Sequence, residues 1–303
     1  MKTPLFTCTI VAALITSASA TVTMDWVSIG NANNAADTAD GYGSFGYGAV
    51  DHAYRIGKYE VTNAQYGEFL NAKGQSNANG IYNASMPTYG ITQSGTSGSF
   101  SYTVTTALAN RPVVLVSGFD AARFANWMMN DQGDGDMEDG AYTLTGTMSG
   151  VILANASASV HIPSIDQWYK AAFYDQAKNS GTGGYWLYAT QSNSISTTDA
   201  NFLSSGSSDV GSFQNSESPN GTYDQSGNVH EWNDLVLDEV SRGLQGGAWG
   251  NPLNIDLAST SRGAFNPSIE YDWLGFRLAA VPEPTSILLS MLAGVMMLIR
   301  RKR

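Results

Sequence analysis

The chain has 303 residues, with 15 Lys and Arg against 26 Asp and Glu, for a net charge of −11. A surface of that sign repels phosphate backbones, which argues against a nucleic-acid partner. The single cysteine is Cys8, so residues 9–303 can build no thiolate metal site, cysteine nucleophile or disulfide.

The first twenty residues have the three parts of a secretory signal. Lys2 is the positive start, residues 5–15 are mostly apolar, and Ala18-Ser19-Ala20 is a small-residue cleavage site. Residues 1–20 are therefore expected to be removed on export, together with the only thiol. Residues 21–53 are rich in Gly, Asn, Ala and Asp and read as loops around a short strand at 26–29. Residues 54–61 alternate like a strand. Thr62 with Gln65 spells a capping box, and Tyr66, Phe69 and Leu70 make the apolar face of a helix from about 63 to 72, with Gly74 as its C-cap.

Residues 74–110 are a polar, Gly/Ser-rich stretch with strand-like pieces such as 100–105. Residues 111–116 lead to Ser117 and a helix ending near Met129, with Phe124, Trp127 and Met128 on its apolar face. The acidic turn at 130–140 resembles an EF-hand loop with its glycine one position late and its distal Glu missing, which favours a solvated loop over calcium. Ser164 with Gln167 is a second capping box, and Trp168, Ala171 and Ala172 face the core. A Ser/Gly/Asn-rich stretch fills 178–220. The three histidines, His52, His161 and His230, match no common metal-ligand spacing. Few helices, short strands and long loops define an α+β chain.

At the C-terminus, Pro282-Glu283-Pro284 is followed by an apolar stretch at 287–299 and by Arg300-Arg301-Lys302-Arg303. Thirteen helical residues rise about 20 Å, short of the roughly 30 Å hydrocarbon core. Flanking residues and local thinning can close the gap. A plain membrane anchor is one reading. The order of features also closely resembles the PEP-CTERM sorting tail of Gram-negative bacteria. That resemblance implies a transient inner-membrane anchor over 282–303, cleavage by an exosortase-type enzyme, and a cell-envelope or extracellular destination. Without both ends, residues 21–281 keep 10 basic and 25 acidic residues, as one large domain or two small ones.

The segments in between resemble the sulfatase-modifying-factor family, which includes formylglycine-generating enzyme. In family order they are Glu60-Val61-Thr62-Asn63-Ala64-Gln65-Tyr66, Arg111-Pro112-Val113, Ile162-Pro163-Ser164 through Trp168, Val210-Gly211-Ser212-Phe213, Gly227 through Trp232, Gly246-Gly247-Ala248-Trp249 and Gly275-Phe276-Arg277. The resemblance implies one irregular α+β domain over 21–281, formylglycine-generating-enzyme-like, related to C-type lectins and low in regular secondary structure. It also implies two copper-binding cysteines shortly after Trp249. Residues 250–256 contain none, so copper-dependent formylglycine synthesis is not expected. Structural calcium is implied at Asn228 and Glu231, where His230 replaces the usual Trp, and at Asn201 with Asp209 as the looser match. Without calcium, Asn228 and Glu231 would make turn and capping hydrogen bonds.

These readings point to an exported binding module stabilised by calcium, with extracellular polysaccharide as candidate ligand. The alternative is an enzyme of the same superfamily with non-cysteine chemistry. Seven tryptophans offer sugar-stacking surfaces, and at least half of them are expected in the core. Trp232-Asn233-Asp234 and Glu217-Ser218-Pro219-Asn220 resemble lectin sugar motifs, but the first overlaps the family's own motif and their spacing is short, so coincidence is the expectation.

Overall fold

The computed structural model describes residues 21–38 and 46–282. Both processing signals lie outside these residues, apart from Val281 and Pro282. Among the described residues no helix is long and apolar enough to cross a membrane.

Three helices start where the sequence places them, each closed by a reciprocal capping box that satisfies two backbone N–H groups. Helix α1 spans Asn63–Lys73, with Thr62 and Gln65 as the box and Gly74 at its end. Helix α2 spans Gly118–Met129, where Ser117 pairs with Asp120. Helix α3 spans Ile165–Phe173, with Ser164 and Gln167. Tyr66, Phe69, Leu70, Phe124 and Trp127 are all buried. The rings of Tyr66, Phe69, Phe124 and Trp127 form one aromatic core with Phe276: Phe69 and Phe124 lie 5.5 Å apart edge to face, as do Phe124 and Phe276. Each such side chain contributes about 1.5–3 kcal/mol by leaving water.

Around the helices run twelve short strands among the described residues. They are β1 (Trp26–Ile29), β2 (Tyr54–Gly57), β3 (Ile91–Ser94), β4 (Ser101–Val104), β5 (Val160–His161), β6 (Tyr174–Asp175), β7 (Gly184–Tyr185), β8 (His230–Asp238), β9 (Ser241–Gln245), β10 (Gly263–Phe265), β11 (Leu274–Gly275) and β12 (Ala279–Ala280). One sheet has the order β1-β2-β12-β5 and a second β10-β9-β8-β11, while β3-β4 and β6-β7 are two-stranded. The C-terminal strands β11 and β12 each join a different four-stranded sheet, tying residues 274–280 across the domain. Strand β11 pairs parallel with β8, setting Leu274 beside His230 and Gly275 beside Glu231. On its other side Gly275 lets the segment before α2 come close, because a Cβ there would lie 2.8 Å from the Val113 carbonyl.

Several expectations are sharpened or corrected. The strand expected over 54–61 ends at Gly57. The chain then bends, with Lys58 N–H bonding the Asp25 carbonyl and Val61 N–H the Phe276 carbonyl, and Glu60 is buried. The strand-like pieces of the polar stretch at 74–110 pair as a hairpin, β3–β4. In the acidic turn the carboxylates serve the fold. Glu138 accepts from Arg123 Nε and from Gly146 N–H, both at 2.6 Å, and Asp136 accepts from Glu138 N–H. Only Trp127, Trp168 and Trp232 are fully buried. Trp26, Trp186, Trp249 and Trp273 are half-buried, so fewer than half are enclosed in the core, and Trp26, Trp249 and Trp273 pack against its edge from short strands and loops. The lectin-like motifs are structural: Trp232 Nε1 donates to the Val116 carbonyl, Asp234 accepts from Ile165 N–H, and Asn220 Nδ2 donates to carbonyls at the end of α3.

Candidate functional site

The turn entering β8 builds two neighbouring environments. Gly227 has φ +114°, and a Cβ there would lie 2.7 Å from the Asn201 carbonyl, so only glycine lets these segments meet. Asn228 follows in the left-handed region, at φ 63°. From there strand alternation sends Glu231 inward and His230 to the opposite face.

The inward side is a buried polar junction. Asn201 and Asn228 are brought together, with Asn201 Nδ2 donating to Asn228 Oδ1 at 3.2 Å. The same oxygen accepts from Ser208 N–H at 2.9 Å, and Asn228 Nδ2 donates to Glu60 Oε1 at 3.0 Å. Glu231 lies apart from this pair. Arg277 Nε and Nη2 each donate to one of its oxygens at 2.6 Å, and Trp168 Nε1 donates to Oε2 at 2.8 Å. Asp209 is exposed, and its carbonyl closes a turn with Ser212 N–H. Of the four residues implied as calcium ligands, then, two meet, one is engaged by a guanidinium and one faces solvent. Donors, not free lone pairs, converge on Asn228 Oδ1, so the arrangement holds together without an ion. Among the described residues no group of three or more His, Cys, Asp and Glu is arranged to hold a metal.

Sequence reasoning missed the centre of this junction. Arg277 is fully buried and also donates to the carbonyls of Gly57, Lys58 and Tyr223. Three buried carboxylates, Glu60, Asp224 and Glu231, face this one cation. Burial, reinforced by Asp224 and Glu231 and opposed by Arg277, pushes Glu60 well above the usual carboxylate range. Burial raises Asp224 to about 6, against the Gly211 N–H and Arg277. Glu60 Oε2 is buried without a hydrogen-bond partner. A proton on Glu60 removes a charge that the single guanidinium cannot balance. Glu60 and Arg277 both stand in the family-like segments, and Arg277 sits between Phe276 and Leu278. That apolar setting for a charge was the available signal, although it did not name the partner.

The outward side is an aromatic cleft of about 320 Å³, lined by His230, Ala248, Trp249, Gly250, Asn251, Phe265 and Trp273. Backbone bonds tie it to the junction: Trp249 N–H donates to the Asn228 carbonyl and His230 N–H to the Trp273 carbonyl. The glycines preceding Trp249, at φ +102° and +73°, turn it toward the opening. The His230 ring stands edge-on to Trp273, with centroids 5.3 Å apart. His230 therefore packs against Trp273, and burial lowers its pKa to about 4, with the Asn251 side chain pulling the other way. Phe265 and Asn251 carry no advance signal, since only chain folding brings 230, 250, 265 and 273 together.

Irregular α+β architecture, capped helices and glycine-turned loops define a formylglycine-generating-enzyme-like fold. The chain belongs to the family described as sulfatase-modifying factor enzyme 1-like domain, whose profile matches residues 18–281. Among solved structures it is similar to CarF, at 22% identity and TM-score 0.55, covering 86% of this chain and 99% of that one. It is also similar to Treponema denticola variable protein 1, at 19% identity and TM-score 0.56, covering 88% and 100%. Likeness at this level speaks to fold alone. A search of curated proteins found no significant relative.

Proposed function

We propose that this protein is an exported binding module of the bacterial cell envelope or extracellular matrix, whose ligand is an extracellular polysaccharide. The observation that carries this reading is the aromatic cleft, on a family domain in which residues 9–303 contain no cysteine. A cleft of this size, mostly aromatic with a few polar groups, is suited to ligand capture, and copper held by a thiolate pair has no ligands here.

The export part of the proposal rests on the residue patterns at the two ends: a signal peptide over 1–20 and a PEP-CTERM tail over 282–303, cut by an exosortase-type enzyme after transient insertion in the inner membrane. Its support within the fold is the docking of Val22, whose N–H and carbonyl are both bound by the Gln132 side chain, two residues after the Ala-Ser-Ala site. Calcium remains part of the proposal at Asn201 and Asn228, with Asp209 nearby in the chain. Turning the Asn201 carboxamide would present two amide oxygens of the type calcium prefers. Glu231 is assigned to Arg277 instead.

The test is retention of the mature protein on the producing organism's own polysaccharide, with calcium and with EDTA. Calcium-dependent retention supports both parts of the reading, and retention in both buffers supports binding without the ion. No retention in either would sink the binding module and favour an enzyme with non-cysteine chemistry.

A further inference from the structure

The cleft continues outward as an aromatic rim. Tyr271 stacks on Trp273 with centroids 4.9 Å apart and planes 20° apart, and Phe265 meets Trp273 at 5.7 Å. Phe265 and Tyr271 also meet edge to face at 6.4 Å and are 39% and 43% exposed, so a cluster of three rings carries the cleft onto the surface. Aromatic rings offer large apolar surface, and a cluster that reaches past the cleft mouth can meet a ligand longer than the cleft itself holds.

Charge narrows the ligand further. None of the residues lining the cleft is Asp, Glu, Lys or Arg. The nearest charges along the rim segment are Glu270 and Asp272, both acidic, accepting from Asn83 and from Tyr89 respectively. Nothing there would pair with a uronate or sulfate group, and the acidic chain as a whole repels polyanions. The polar groups that remain are those of hydroxyl recognition. Asn251 lines the wall, held by Ala248 N–H at Oδ1 and by Asp256 at Nδ2, which leaves one further site on each atom, and His230 Nδ1 is buried with no hydrogen-bond partner.

We infer that the cleft and its rim are a subsite for a neutral glycan chain, one uncharged sugar ring seated against Trp249 and Trp273 and the next rings laid over Phe265 and Tyr271. This rests on the binding-module reading and makes it specific. Selection acts against acidic polysaccharides, because the site offers stacking surface and hydroxyl partners but no cation.

The experiment is calorimetric titration of the purified protein with a neutral β-glucan hexasaccharide, the matching disaccharide, dextran, alginate and polygalacturonate at about 150 mM salt, where distant charges are screened. A neutral glycan is expected to bind and the two uronate polymers to fail. Trp273→Ala is expected to weaken the neutral glycan roughly tenfold, the scale of a central aromatic anchor. Because Trp273 is half-buried, Tyr271→Ala on the exposed rim is the second variant. It should weaken the longest bound glycan while leaving its disaccharide unchanged. Uronate polymers binding as tightly as neutral ones would overturn the inference and leave the binding module standing. So would a neutral glycan insensitive to both variants. Binding of no glycan at all would remove both.

Discussion

Replacing Arg277 with Met should be among the most damaging single changes in the domain. The guanidinium is fully buried and makes two 2.6 Å bonds to Glu231 and three to backbone carbonyls. Removing one partner of a buried ion pair costs about 3–5 kcal/mol, because the remaining charge is left uncompensated. Lys58 O keeps the Tyr223 N–H, whereas Tyr223 O loses the Arg277 donor, adding about 1 kcal/mol. A total near 5 kcal/mol is a third or more of a domain's usual stability, and at about 2–4 °C per kcal/mol it lowers Tm by roughly 10–20 °C. Urea denaturation and thermal circular dichroism at pH 7 measure it. Glu231→Gln should lose less, because it removes a carboxylate from a site that has three. It should lose the same amount in calcium as in EDTA. A loss below about 1 kcal/mol for Arg277→Met would refute the junction's electrostatics. Calcium that raises the Tm of the native protein but not of Glu231→Gln would return Glu231 to an ion.

Asp120 is buried beneath the α2 cap, and burial raises it to about 7. Between about pH 4 and 7 the folded state therefore holds a proton that the unfolded chain has released, so stability falls as pH rises, by up to about 4 kcal/mol at about 1.4 per unit. Asp120→Asn keeps an oxygen facing Ser117 and should flatten that part of a stability–pH curve; an unchanged slope would assign it to another group. Gly227→Ala should cost at least about 2 kcal/mol, since it combines a left-handed φ with a Cβ 2.7 Å from a carbonyl; a native-like urea midpoint would contradict this. Incubated with copper and a sulfatase-type cysteine peptide, the purified protein should form no aldehyde, as mass spectrometry of the peptide would show; copper-dependent aldehyde would overturn the cysteine argument.

What the sequence by itself determined was local or compositional. Two of the three capping boxes, the buried faces of α1 and α3 and most of that of α2 were legible, because a residue and its partner three or four positions away share one helical turn. The third box, Ser117 with Asp120, carries Asp where the usual pattern has Glu or Gln. The order of short motifs carried the family, and a residue count excluded thiolate chemistry. The tertiary structure decided the rest. Glu231 and Arg277 stand 46 positions apart, and Glu60 and Asn228 stand 168 apart. No periodicity links such positions, and the loops between them have none. The same holds for the cleft. Trp249 and Trp273 were visible as tryptophans, but only the parallel pairing of β11 with β8 sets Trp273 beside His230. A family motif marks which side chains matter, whereas the partner that meets each of them is fixed by how distant segments close on one another.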